Sequence, residues 1–191
     1  MIFVYHNTIK IVAVTNCKEQ TLAYPSSCSS IAEGLCLLAA DYVDEILIWC
    51  HQSLKSALNV KEIEQLFHHK KLLLSYNPSK NPYLDAAIGY VDASHFAGIN
   101  SDVSFGTWQM SSAVGGIHAS ILLALKDSIS FDKNFDYFLC SLAKLAMPKG
   151  LLCYSEPKLL KQKGVTTLSK ASIFTLFRFV KQHYKTQWVF L

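Results

Sequence analysis

Two short, uninterrupted apolar runs constrain this chain more than anything else in it: EILIWCH at 45–51 and KLLLSY at 71–76. A strand wet on one face alternates polar and apolar residues, so a continuous apolar run reads as a strand covered on both faces. Each run follows a helix. Ser30 with Glu33 is a capping-box spacing ahead of a helix over 31–43, and Asn59 with Glu62 opens a second helix, VKEIEQLFHH. Strand and helix in alternation predict an α/β domain with a mixed, largely parallel central sheet and flanking helices. Upstream, IFVYH and KIVAVTN read as a strand pair joined at His6-Asn7-Thr8, which TLAYP can extend.

Half of the 191 residues are hydrophobic and 17% are charged, enough apolar material for a buried core. No apolar run approaches the roughly 18 to 20 residues that cross a bilayer. The N-terminus lacks the basic start and small-residue cleavage site of a signal peptide, so the expected location is the cytoplasm. Of six cysteines, Cys36, Cys50, Cys140 and Cys153 lie inside apolar runs, and none forms a CxxC pair; they read as reduced core thiols.

Charge divides the chain. Residues 1–157 hold eleven lysines against fourteen acidic residues, a balance of −3, whereas 158–191 hold six lysines and Arg178 with no acid, a balance of +7. The expected organisation is an α/β domain over 1–157 and a basic amphipathic segment over 158–191. In that segment Ile173, Phe177, Val180 and Tyr184 recur at helical spacing, with Lys170, Arg178, Lys181 and Lys185 elsewhere on the wheel. Such a helix suits an anionic membrane surface, peripheral at the inner face, or packs on its own domain and shows its lysines to water. Nucleic acid is the poorer partner, because the body is acidic and Arg178 is the single arginine.

Residues 77–116 break the rhythm and read as functional loops rich in Gly, Ser and aromatic residues. In an α/β domain ligands gather at the carboxyl ends of the parallel strands. Those ends read Cys50-His51, Tyr76-Asn77 and, after Gly89-Tyr90-Val91, Asp92. Asp92 can hold a divalent cation (Mg or Mn) that neutralises a bound diphosphate, or cap a turn with Ser94. Gly115-Gly116 before a helix can bring free backbone N–H groups to an anion, or simply turn the chain. His118, in the first turn of that helix, faces a ligand or the core. Trp108 offers a stacking face for a sugar ring, or packs. Asp132 and Asp136 open the next helix, where carboxylates are favoured whatever else they do.

The order of features from Gly115 to Leu160 resembles the acceptor-side half of family-two glycosyltransferases, which have the nucleotide-diphospho-sugar transferase fold. A Gly-rich entry precedes a helix, GGIHASILLAL; Phe131-Asp132-Lys133 stands for an "FDE"-like phrase; Asp136 opens a second helix; and Gly150 leads into LLCYSEPKLL. The resemblance covers about a quarter of the chain closely and the front half in outline. It implies that Asp136 stands where the family keeps its catalytic base and Asp92 near its metal-binding carboxylates. No D-x-D occurs, and neither the family's opening P-x-Y-N turn nor an arginine after the base is present.

The function this implies is transfer of a sugar from a nucleotide-diphospho-sugar donor to a hydroxyl acceptor, in cell-surface polysaccharide or glycolipid synthesis. Asp136 would be the base, and Asp92, Gly115, Gly116, His118 and Trp108 would surround the nucleotide sugar. The alternatives are a nucleotide-sugar or partner-binding module that keeps the fold without the chemistry, and a membrane-associated interaction protein acting through its basic tail.

Overall fold

The computed structural model describes residues 1–24, 27–79, 83–84, 102–162 and 170–184. Asp92 and the segment around it lie outside the described residues. Seven strands form one sheet: β1 (Ile2–His6), β2 (Ile11–Asn16), β3 (Ile46–His51), β4 (Leu72–Tyr76), β5 (Phe105–Gly106), β6 (Val114–His118) and β7 (Leu152–Ser155). Their spatial order is β2-β1-β3-β6-β4-β7-β5. Among the described residues five α-helices accompany them: α1 (Ile31–Asp41), α2 (Val60–Leu66), α3 (Ala119–Leu125), α4 (Phe135–Ala146) and α5 (Ile173–His183).

The strand period of two sorts the core onto two faces. Ile2, Val4, Leu47, Trp49, Leu73 and Ile117 point to the layer of α1, α3 and α4. Phe3, Tyr5, Ile48, Cys50, Leu72, Leu74 and Tyr76 point to the opposite layer, made by α2 and two 3-10 turns, at 52–57 and 157–159. This explains why the runs at β3 and β4 show no alternation: both faces are covered. All six cysteines are free, and the four in apolar runs are buried.

The sheet is mixed, but its neighbours are mostly antiparallel, a correction to the expected largely parallel sheet. β1 with β3 and β4 with β7 pair in parallel. β6 runs the other way between β3 and β4, and β2 and β5 are antiparallel edges. β1, β3, β4 and β7 still share one direction, so their carboxyl ends meet on one edge.

β6 also overturns the reading of Gly115-Gly116 as a loop before a helix. Gly115 pairs with Trp49 and Ser75, and Gly116 with Ile48 and Leu74, in the middle of the sheet. A Cβ on Gly115 would stand 2.4 Å from the Trp49 indole and 2.5 Å from the Leu74 carbonyl oxygen. On Gly116 it would meet Ile48 Cδ1 at 2.4 Å and the Phe67 ring at 2.8 Å. The glycines are there to admit those side chains.

Helix boundaries follow their caps. Ser30 Oγ accepts the Glu33 N–H at 3.2 Å, as the capping spacing predicts, while the Glu33 carboxylate takes the Ser29 N–H and hydroxyl. Asn59 makes no side-chain cap bond, and α2 stops at Leu66, short of the histidines. α4 is capped by Asn134, whose Oδ1 accepts the Tyr137 N–H at 2.9 Å; Asp132 sits one step upstream, accepting the Asn134 N–H at 2.8 Å. Gly150, at φ 92°, turns the chain out of α4 toward β7. Past residue 157 the chain stays in the body: Leu159 and Leu160 are buried, and the Asn59 N–H donates to the Leu159 carbonyl.

Candidate functional site

His6, His51, Tyr76 and Ser155 end the four co-directional strands, and β6 begins beside them at Val114. Across this edge runs the segment 110–113, whose polar groups are held largely by β1, β3, β4 and α4. Trp49 of β3 donates its indole N–H to the Ser111 carbonyl at 3.0 Å. The Ser111 N–H donates to Ser75 Oγ of β4 at 3.0 Å, and the Ala113 carbonyl accepts the His51 N–H at 2.7 Å. From the helical layer, Cys140 Sγ reaches the Met110 carbonyl at 3.3 Å.

Asp136 completes this hub. It lies in the first turn of α4, 5% exposed, with Oδ1 accepting the Ser112 N–H at 2.7 Å and Oδ2 accepting the Ser112 hydroxyl at 2.8 Å. Burial raises its pKa above the ordinary carboxylate value, against the two Ser112 donors, which lower it. The positive end of α4 also favours the anion.

On the other side of Ser112 is His6, fully buried. Its Nδ1 accepts the Thr8 N–H at 3.1 Å, which leaves Nε2 as the protonated nitrogen, donating to the Ser112 carbonyl at 2.8 Å. Burial holds its pKa down to about 4, so the ring is neutral. Phe135 and His51 meet it edge-on, each with ring centroids 5.6 Å away. His51 accepts from the Ser53 N–H through Nδ1, and burial lowers its pKa too. The Ser112 peptide is thus gripped between a neutral imidazole and a buried carboxylate.

Beside the hub lies a cavity of about 150 Å³. Its polar lining is Ser75, Asn77, Ser79, Thr107, Gln109, Ser111 and Ser155, with Tyr76, Tyr83 and Phe105 as ring surfaces, and no lining residue is charged. Its wall shares Ser111 with the hub, and Cys140 stands one turn along α4 from Asp136. A cavity of this size accepts one six-membered ring.

The other expected site residues lie elsewhere. Gly115 and Gly116 are interior strand positions. His118 ends β6 opposite Ile46, so the antiparallel run carries it to the far edge of the sheet. There its Nδ1 accepts the Ser120 N–H and pairs with the Ser120 hydroxyl, capping α3 rather than lying in its first turn. Trp108 is half-buried and stacks on Phe179 at 5.2 Å, with Lys144 Nζ 5.2 Å from its ring, so its faces are used in packing. Of the expected residues described, Asp136 alone is at the strand-end edge.

The residues that sequence reasoning missed are His6, Ser112 and the hydroxyl lining of the cavity. His6 carried a usable signal, as a polar residue closing an apolar strand. Ser112 carried none until β6 and α4 were placed. For a divalent cation, Asp136 is a poor ligand here, because both its oxygens already accept from Ser112. Among the described residues no three His, Cys, Asp or Glu side chains converge as a ligand set. No protein-family model matches the chain, and no curated protein does either.

Proposed function

We propose that the protein transfers a sugar from a nucleotide-diphospho-sugar donor to a hydroxyl acceptor, with Asp136 as general base, in cell-surface polysaccharide or glycolipid synthesis. The observation that carries this is the shared wall: a buried carboxylate of raised proton affinity stands behind Ser111-Ser112, and an uncharged, hydroxyl- and aromatic-lined cavity of ring size stands in front. Sugars are bound by such surfaces, with ring C–H faces on aromatics and hydroxyls on short polar side chains.

In the reaction, the acceptor oxygen forms a bond to the anomeric carbon as the bond to the diphosphate oxygen breaks. The nucleoside diphosphate leaves with the bonding pair, the acceptor proton passes to Asp136, and configuration inverts. A carboxylate whose pKa is lifted by burial is a stronger base than one in water. Ser112 and His6 hold it in place, and no step is routed through a metal.

A second reading is favoured by one feature: Asp136 is 5% exposed with both oxygens engaged by Ser112. That suits a module that binds a nucleotide sugar or a partner without turnover. Thermal shift against UDP-, GDP- and CMP-sugars, with and without Mn²⁺, followed by turnover of the donor that binds, separates the two. Transfer abolished by Asp136→Asn supports the enzyme. Binding without turnover, unchanged by Asp136→Asn, supports the module, and no shift with any donor sinks both.

A further inference from the structure

Helix α5 has two apolar faces, and the fold uses one. Phe179 and Val180 are buried against α4, where Phe179 stacks on Trp108 and meets Tyr137 edge-on at 5.5 Å. The Tyr137 hydroxyl donates to Gln182 Oε1 at 2.6 Å, and Arg178 pairs with Asp132 at 2.8 Å while lying over the Tyr137 ring. These contacts fix the rotation of the helix about its axis. Ile173 and Phe177, two members of the expected apolar stripe, and Phe174 therefore face outward at 55%, 42% and 80% exposure.

Residues three and four apart adjoin on a helix, so Phe177 lies beside both Phe174 and Ile173 and the three side chains form one patch. Lys181, exposed, lies one turn beyond Phe177 on the same side, and Lys170 precedes the helix. The stretch 170–184 has no acidic residue, and Arg178 is committed to Asp132. We infer that α5 docks the protein on an anionic membrane surface, with Ile173, Phe174 and Phe177 entering between headgroups and Lys181 meeting a lipid phosphate. A convex apolar ridge edged by cations has the chemistry of an interfacial helix. A second copy of the chain suits it less, because a twofold contact would set Lys181 and Lys170 near their own images.

The inner face of α5 packs on Tyr83, Leu84 and Cys140, which also line the ring-sized cavity. Docking would set that cavity one helix thickness, about 10 Å, from the lipid.

Flotation of the full chain with phosphatidylcholine vesicles, and with equimolar phosphatidylcholine–phosphatidylserine vesicles, tests this. The protein is expected to float with the anionic vesicles alone and to be released by salt. Phe174→Ser should weaken binding about tenfold or more and Lys181→Gln about fivefold, with unchanged melting temperatures because both residues face water. Absence of flotation on either vesicle, or equal flotation on both, overturns the inference. So does a wild-type dimer by size-exclusion mass that Phe174→Ser converts to monomer, which would show that a second copy covers the patch.

Discussion

Asp136 offers a test in which stability and activity move in opposite directions. Asp136→Asn keeps an oxygen for the Ser112 N–H, and its amide can donate to the Ser112 hydroxyl once that rotates. It removes only the charge. Burial, which lifts the carboxyl's pKa, works against the ionised folded state. Asp136→Asn should therefore be more stable than wild type at neutral pH, with a higher Tm.

Asp136→Ala removes the same charge but strands two donors on Ser112, which is 1% exposed. Each buried unsatisfied donor costs about 1–3 kcal/mol, so Asn should exceed Ala by about 2–4 kcal/mol. The pH profile gives an independent check. The folded pKa is raised, so the folded state holds the extra proton above the unfolded value, and wild-type stability falls as pH rises through the folded pKa. The gain from Asp136→Asn should grow over that window and then level off. The assay is urea unfolding of the three proteins from about pH 4 to pH 8, with donor turnover beside it, where Asn should lose about 10²-fold or more. An Asn variant less stable than wild type at every pH would mean that the anion is stabilised in place. One that retains turnover would remove Asp136 from the chemistry.

Gly115→Ala should lower stability by about 2–3 kcal/mol, because its Cβ stands 2.5 Å from a backbone carbonyl and 2.4 Å from an indole, and Gly116→Ala should cost less, since its shortest contacts are the side-chain ends of Ile48 and Phe67 and the Leu47 carbonyl stands farther off at 3.1 Å; equal thermal shifts would refute the distinction. His6 and His183, both held down to about 4 by burial, bind fewer protons folded than unfolded. Their stabilising contribution is therefore present above about pH 6.5 and lost as pH falls toward 4, so His6→Gln should flatten the acid limb of the urea profile. Phe179→Ala should cost about 3–5 kcal/mol and red-shift the fluorescence of Trp108, its stacking partner; an unshifted spectrum would mean that α5 stays docked without it.

Legibility followed how local the determining contacts are. β1, β3 and β4 and the start of α1 were readable because burial on both faces and a capping hydroxyl leave their mark in a few adjacent residues. β6 was not, because the two glycines answer to Trp49 and Ile48 on a strand far upstream, and Gly-Gly out of that context resembles a turn. The stripe on α5 was found in part: Val180 and Tyr184 pack on the body while Ile173 and Phe177 face outward, because with apolar residues on two sides periodicity could not choose between Phe177 and Phe179 until Trp108 and Tyr137 were in position. At the site, Asp136 was found through its place at a helix start, whereas its partner Ser112 depends on long-range pairing that no spacing displays.

The insertion of β6 has a consequence for how the chain is made. Gly116 joins Ile48 and Leu74, partners well upstream of it in the chain, and without that strand β3 and β4 have no contact through the sheet. While residues 1–79 emerge from the ribosome, the apolar edge of β3 has no partner and is open to pairing with another chain. Closure waits for residues 114–118, past the midpoint of the chain, and such long-range pairing slows folding. The two halves of the sheet are sealed in one late event. That same event seats Ser112 against Asp136, so the site and the finished sheet come into being together.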